Sequence, residues 1–183
     1  MGDPSNAAWV GYGGQDYADY GYAVGGGGDL NGDGYADIVV GAPYYDAGQS
    51  NEGAAFAYFG SASGPSASYD WFHGSDFANA EYGVSIAADG DFNGDGYSDV
   101  LVGAPKYYVG ETWEGYVFVY LGSDDGPQTA APWWNGRSNQ SYARLGRSVA
   151  WAGDVNGDGY SDVIAGAYRY DQSGNTDCGR IFV

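Results

Sequence analysis

One nonapeptide occurs three times in this chain, as Asp29-Leu-Asn-Gly-Asp-Gly-Tyr-Ala-Asp37, Asp91-Phe-Asn-Gly-Asp-Gly-Tyr-Ser-Asp99 and Asp154-Val-Asn-Gly-Asp-Gly-Tyr-Ser-Asp162. Successive copies start 62 and then 63 residues apart. A fixed period of this kind points to a stack of similar units, each burying its apolar face on the next.

The chemistry of the nonapeptide points to a hard cation. Calcium takes roughly six to eight oxygens at roughly 2.3–2.6 Å in a flexible shell. In the first copy Asp29, Asn31, Asp33 and Asp37 offer side-chain oxygens, and Tyr35 offers its carbonyl. The same places hold Asp91, Asn93, Asp95, Asp99 and Tyr97, then Asp154, Asn156, Asp158, Asp162 and Tyr160. Gly32 and Gly34 let the first loop turn back on itself. No Lys or Arg lies inside any copy. Two carboxylates about 4 Å apart at an effective dielectric of about 20 repel by roughly 4 kcal/mol, so a cation is the expected occupant. An Asx- and Gly-rich surface turn is the alternative for one copy, and three complete copies argue against it.

The loop is not an EF-hand, which needs a glutamate at position 12 and a helix on each side. Position 12 is Val40, Val102 and Ala165. The runs Ile38-Val-Val40, Val100-Leu-Val102 and Val163-Ile-Ala165 read as buried strands. Calcium is therefore expected in a strand-to-strand hairpin, with three ions per chain.

Composition narrows the classes further. The 183 residues include 24 acids against 6 bases, for a net charge of −18. Three divalent ions would add six charges and bring it to −12. Such a chain is not expected to bind nucleic acid, which needs a basic surface, nor to be drawn to anionic membranes. The 34 glycines and 19 tyrosines favour an all-β chain with many turns. Cys178 is the single cysteine, so no disulfide can form within the chain, and a filler or bystander role is expected for it. No signal-peptide pattern and no run of 18 apolar residues occurs. Asn139-Gln-Ser141 matches a glycosylation sequon, a triplet common by chance.

The first two periods each hold four strand-like runs, and the third holds three. Unit one has Tyr20–Val24, Ile38–Pro43, Gly53–Gly60 and Tyr69–Phe72. Unit two has Tyr82–Ile86, Val100–Pro105, Gly115–Gly122 and Pro132–Trp134. Unit three has Leu145–Val149, Val163–Tyr168 and Gly179–Val183. Four antiparallel strands per repeat is the blade of a β-propeller.

Aromatic-Gly, then D-x-N-x-D-G-x-x-D, then Gly-Ala-Pro resembles the FG-GAP repeat of integrin α-subunit propellers and related bacterial and fungal proteins. The resemblance covers almost the whole chain. Unit three departs from it at Leu145 and at Tyr168, which replaces the proline. The resemblance implies that the twelve Asp and Asn residues named above bind calcium between the first two strands of each blade. It also implies an adhesion or ligand-binding module, outside the cell or in the periplasm, with a protein or carbohydrate ligand.

The expected domain is a single propeller segment over 1–183, with repeats at about 20–72, 82–135 and 145–183. Ala8-Trp9-Val10 aligns with Asp70-Trp71-Phe72 and with Trp133-Trp134-Asn135. An N-terminal strand over about 8–12 is thus expected to stand in for the missing fourth strand of repeat three. Propellers run from roughly four to eight blades, so three cannot close a ring. A head-to-tail homodimer with six blades is one expectation. A piece of a longer chain is the other.

In a four-strand meander the metal loops share one end with the loops between strands three and four. The other end carries long aromatic loops, and binding residues concentrate on loops held by a rigid scaffold. Tyr107, Tyr108, Trp113, Arg144 and Arg169 are the candidate ligand-binding residues there. Five of the six bases, Arg137, Arg144, Arg147, Arg169 and Arg180, fall in the last third. They suggest a positive spot for an anionic ligand, with pairing to the many acids as the alternative. No catalytic residues are expected. His73 reads as a solvated loop side chain, and no nucleophile motif is present. A calcium-dependent polysaccharide lyase and a structural spacer in a larger secreted protein are the alternatives to a binding module.

Overall fold

The apolar run after each nonapeptide becomes the second strand of an antiparallel sheet, in a computed structural model that describes residues 8–183. The first sheet holds β1 (Ala23–Gly26), β2 (Ile38–Ala42), β3 (Ala54–Tyr58) and β4 (Trp71–Gly74) in chain order. The second holds β5 (Ser85–Gly90), β6 (Asp99–Ala104), β7 (Tyr116–Tyr120) and β8 (Trp134–Arg137) in the same order. The third holds β9 (Leu145–Gly153), β10 (Asp162–Ala167) and β11 (Arg180–Phe182). The chain is all-β, and the three sheets are successive propeller blades. No helix among the described residues is long and apolar enough to cross a membrane.

The register repeats from blade to blade. Val40 faces Phe56 and Val102 faces Phe118, while Ala165 faces Phe182. Alternation along each strand then sends one set of side chains to each side of its sheet. Between the first two blades lie Val39, Ala55, Ala57 and Trp71 from one and Val100, Val102, Phe118 and Tyr120 from the other. Between the second and third lie Leu101, Val117 and Val119 against Ala165 and Ala167. The core is therefore two interblade layers and a third cluster on the far face of the first blade, where Val40, Phe56 and Tyr58 are buried against Trp9, Tyr20 and Phe72. Trp71 shows the arrangement. It is 2% exposed, sits edge-on to Tyr120 with 5.3 Å between ring centroids, and its Nε1 donates to the Gln128 carbonyl at 3.3 Å.

The strand limits differ from the sequence expectation in two ways. The aromatic-Gly pair of the first two units lies in the turn before the strand, because Gly21 and Gly83 are left-handed (φ 89° and 83°). The outer strands begin later, at Trp71 and Trp134, where the ladder with Ala57 and Val119 starts. Pro132, which has no N–H to give a ladder, stays outside.

Residues 8–12 form no strand within the single chain. They nevertheless occupy a defined place. Trp9 packs edge-on to Tyr58 at 5.0 Å, and its Nε1 donates to the Ser66 carbonyl at 2.9 Å. Each partner of Trp9 lies 62 residues before the corresponding partner of Trp71. Trp9 thus holds, against the first blade, the seat that the outer-strand tryptophan of the first blade holds against the second. Residues 1–7 of the expected domain lie outside the described residues.

Candidate metal loops and ligand face

The three nonapeptides are the β1–β2, β5–β6 and β9–β10 connections, all at one end of the blades. Within the first, Asp29 Oδ1 accepts from the Asp33 N–H at 3.1 Å and Oδ2 from Gly34 at 2.8 Å. Asn31 Oδ1 accepts from the same Asp33 N–H at 3.1 Å, and Asp33 Oδ1 accepts from Tyr35 at 2.9 Å. The second and third loops repeat this, with Asp91 accepting from Asp95 and Gly96 and Asp154 from Asp158 and Gly159. Gly32 and Gly34 are left-handed (φ 73° and 88°), which folds the three oxygen-bearing residues inward.

The ninth residue of each loop has a different task. Asp37 is buried; its Oδ2 accepts from Leu30 at 2.7 Å and its Oδ1 from Gly60 at 2.8 Å. Asp99 repeats this with Phe92 at 2.6 Å and Gly122 at 2.8 Å. Each therefore ties the nonapeptide loop to the loop after the third strand. Asp162 makes only the first of these bonds, to Val155 at 2.9 Å. Burial pushes both Asp37 and Asp99 above the usual carboxylate range, Asp99 to about 6, and the neighbouring loop aspartates add to the rise. Asp154 in the open third loop is held low by the N–H groups that point at it.

Successive loops are also joined to each other. The Ser98 N–H donates to the Asp29 carbonyl at 2.9 Å, and the Asp29 N–H donates to Ser98 Oγ at 3.1 Å. Ser161 and Asp91 repeat both bonds at 2.9 and 3.1 Å. Sequence reasoning missed this link; its trace is the serine at position eight in the second and third copies, where the first has Ala36.

The donor set fits a hard cation. Each loop brings three carboxylates and an amide oxygen together, buries one carboxylate in two of the three cases, and holds no basic side chain. As they stand, the side chains turn their oxygens onto loop N–H groups. No three acidic, histidine or cysteine side chains among the described residues enclose a common ion-sized point.

The opposite end of the blades differs in backbone character. Among the described residues twelve non-glycine residues are left-handed, and all lie in loops of that end. Tyr17, Asp19, Asp76, Asn79, Glu81, Asn139, Tyr142 and Arg144 precede the first strands, while Asn51, Trp113, Ser173 and Asp177 lie between the second and third. Such conformations cost of order 1 kcal/mol or more each and persist where the surroundings enforce them. Glu52 and Glu114, which sequence reasoning also missed, supply part of that enforcement. Both are fully buried. Glu52 accepts from Ala47 at 2.6 Å, and Glu114 accepts from Val109 and Gly110 at 3.2 and 3.1 Å. Each keeps its Oε2 without a partner. Their only sequence trace is a Glu-Gly pair before the third strand, which becomes Cys178-Gly179 in the last repeat. Cys178 is exposed and points its thiol at the Tyr170 carbonyl at 3.2 Å.

The structure separates the five candidate ligand residues. Trp113, Arg144 and Tyr142 cluster, with the Arg144 guanidinium 4.3 Å above the Trp113 ring and Tyr142 edge-on to it at 5.5 Å. Tyr108 is exposed beside Phe77, 4.7 Å away. Arg169 is exposed over Tyr168 at 5.6 Å. Tyr107 turns inward instead and packs on Tyr116 and Phe118 at 4.8 and 5.2 Å, because its loop folds back over the sheet.

Two other expectations change. None of the five arginines pairs with an acid among the described residues, where Lys106–Glu81 at 2.5 Å is the single salt bridge. They go to aromatic partners instead: Arg147 to Tyr22, Arg180 to Tyr170 and Phe182, Arg137 to the Tyr116 hydroxyl. The acids are largely committed to backbone N–H groups, which leaves the aromatic faces as the available partners. His73 is no solvated loop residue. It lies in β4 between blades, 4.7 Å from the Tyr120 ring with Nδ1 3.2 Å from its hydroxyl, and burial lowers its pKa.

Repeated blades, an Asp/Asn hairpin in each and stacked interblade cores define a propeller-blade repeat protein. The FG-GAP repeat model matches residues 20–58, 82–120 and 145–183, and the chain belongs to that family. It is 34% identical over 148 residues to integrin alpha-4 of Xenopus laevis, an alignment covering 79% of this chain and 14% of that protein. It is 34% identical over 161 residues to integrin alpha-PS2 of Drosophila melanogaster, covering 79% and 11%. It is 37% identical over 150 residues to phosphatidylinositol-glycan-specific phospholipase D of Bos taurus, covering 76% and 17%. The chain thus spans less than a fifth of the length of these relatives.

Proposed function

We propose that the chain is a calcium-stabilised, non-catalytic propeller segment that presents a ligand-binding face outside the cell or in the periplasm. Asp29, Asn31, Asp33, Asp37 and the Tyr35 carbonyl hold one ion, and the corresponding residues of the other two loops hold two more. Bound calcium supplies positive charge that offsets the repulsion among the loop carboxylates and fixes the hairpin. The loop-to-loop bonds through Ser98 and Ser161 then carry that rigidity along the row.

The observation that carries the ligand-binding reading is the one-sided placement of the twelve left-handed non-glycine residues. The metal end meets its tight turns with glycine, whereas the opposite end places Tyr, Trp, Arg and Asn in costly conformations beside exposed aromatic rings. Tyr17, Tyr108, Tyr142 and Tyr168 give that end flat, half-polar contact surface suited to a protein or glycan. Integrin relatives support an adhesion setting. The relative named as a phospholipase D leaves an enzyme setting as the second reading, with the propeller accompanying a catalytic domain.

Arg144 and Arg169, neither in an ion pair, are the proposed anchors for a carboxylate on the ligand. A glycan and protein array probed with the calcium-loaded protein identifies binders, and Arg144→Ala/Arg169→Ala is then titrated against them. At least a tenfold loss of affinity for acidic binders is expected. Unchanged affinity removes the arginines from the site, and an array without binders favours a structural spacer.

A further inference from the structure

We propose that the groove between the first and second blades is a separate ligand site, and that it takes a small organic cation of the alkylammonium class. It lies between two blades that each hold four strands. The proposal goes beyond the reading of the loop face and does not depend on it.

The groove exists because equivalent positions of the first two blades are filled differently. In the first blade Phe72 stands opposite Phe56 on the neighbouring strand. Its ring packs on Phe56 at 5.1 Å and on Tyr45 at 6.0 Å, and Tyr69 lies beside it at 5.8 Å. In the second blade Asn135 stands opposite Phe118, and Pro132 takes the place of Tyr69. Phe118 and Tyr107, the counterparts of Phe56 and Tyr45, are kept and pack on each other at 5.2 Å. Two rings are thus withdrawn from over an aromatic floor that is otherwise retained. The space they leave is a cavity of about 430 Å³, with the Asn135 amide in its wall. Unfilled space costs the surrounding side chains their packing contacts, so a bound molecule is favoured there.

The lining selects the charge of that molecule. Tyr82, Tyr107, Tyr116, Phe118 and Tyr120 come from the second blade, and His73 enters from the first. Aromatic rings gathered around a cavity attract cations, and quaternary ammonium groups are the usual guests of such cages. Asp76 stands at the mouth, exposed, left-handed (φ 55°) and without an ion-pair partner among the described residues. Its charge reaches the walls: burial raises the pKa values of Tyr107 and Tyr120, and Asp76 adds to both. Burial lowers that of His73, so its imidazole is uncharged at neutral pH. No Lys or Arg lines the cavity. Arg137 donates to the Tyr116 hydroxyl at 3.3 Å, and the nearby Glu114 carboxylate offsets its charge. In a chain of net charge −18, such a site draws cations and turns anions away.

Calorimetric titration of the calcium-loaded protein with choline tests this. The controls are the uncharged choline isostere, in which carbon replaces the ammonium nitrogen, and N-acetylglucosamine as a neutral sugar. Saturable choline binding is expected, roughly tenfold tighter than that of the isostere. Asp76→Asn should weaken choline roughly fivefold and leave the isostere unchanged. Asn135→Phe puts into the groove the ring that the first blade carries at Phe72, and should abolish binding. If Asn135→Phe fails to fold, Asp76→Asn decides, since Asp76 is exposed. No saturable choline binding, equal affinity for choline and its isostere, a preference for the sugar, or choline affinity unchanged by either substitution in a folded protein would overturn the proposal.

Discussion

Removing calcium is expected to lower the melting temperature by roughly 20 °C. Calcium modules outside cells work at dissociation constants of about 10⁻⁴–10⁻³ M. At a hundredfold excess each site adds about 2.7 kcal/mol to the folded state, so three independent sites add about 8 kcal/mol. For a chain of this size each kcal/mol moves the midpoint by about 2–4 °C. The structure adds a reason for the loss to spread. Asp37 and Asp99 tie the metal loops to the loops after the third strands, and Ser98 and Ser161 tie each loop to the one before. Thermal unfolding followed by tyrosine and tryptophan fluorescence, with and without chelator, checks this. An unchanged midpoint would remove calcium from the account of stability.

Gly103→Ala is expected to destabilise the fold by about 3 kcal/mol, at the upper end of ordinary overpacking. The added carbon would sit 2.0 Å from the Gly146 carbonyl oxygen, which is backbone and cannot rotate away. The second and third blades must separate to admit it, which uncovers Leu101, Val117 and Val119. Gly48, whose added carbon would meet nothing within 4 Å, provides the comparison. Urea midpoints for Gly103→Ala and Gly48→Ala measure the difference. Equal midpoints would mean that the blades are packed more loosely than the structure shows.

Most of the fold was legible because the chain states its unit three times. The period, the strand order and the hairpin position of the nonapeptides all follow from the repeat and the apolar runs beside it. The strand limits were not, because a Tyr-Gly pair looks extendable in sequence although Gly21 and Gly83 are left-handed. Side-chain direction was the second gap. Tyr107 and Tyr108 are neighbours in one loop, and only the fold decides that the first turns into the core and the second outward. The fate of the arginines was the third. In so acidic a chain ion pairs are the natural expectation. The structure instead commits loop acids to backbone N–H groups and stacks the guanidinium groups on aromatic rings. His73, Glu52 and Glu114 acquire their surroundings from residues far away in sequence, which no local pattern announces.

Native mass spectrometry of the protein equilibrated with calcium tests the central claim most directly, because it counts ions per chain. Three calcium ions per chain are predicted, falling to two when Asp95→Ala/Asp99→Ala removes one donor pair. A chain that carries no calcium, or that keeps three after this substitution, would contradict the assignment of the three loops.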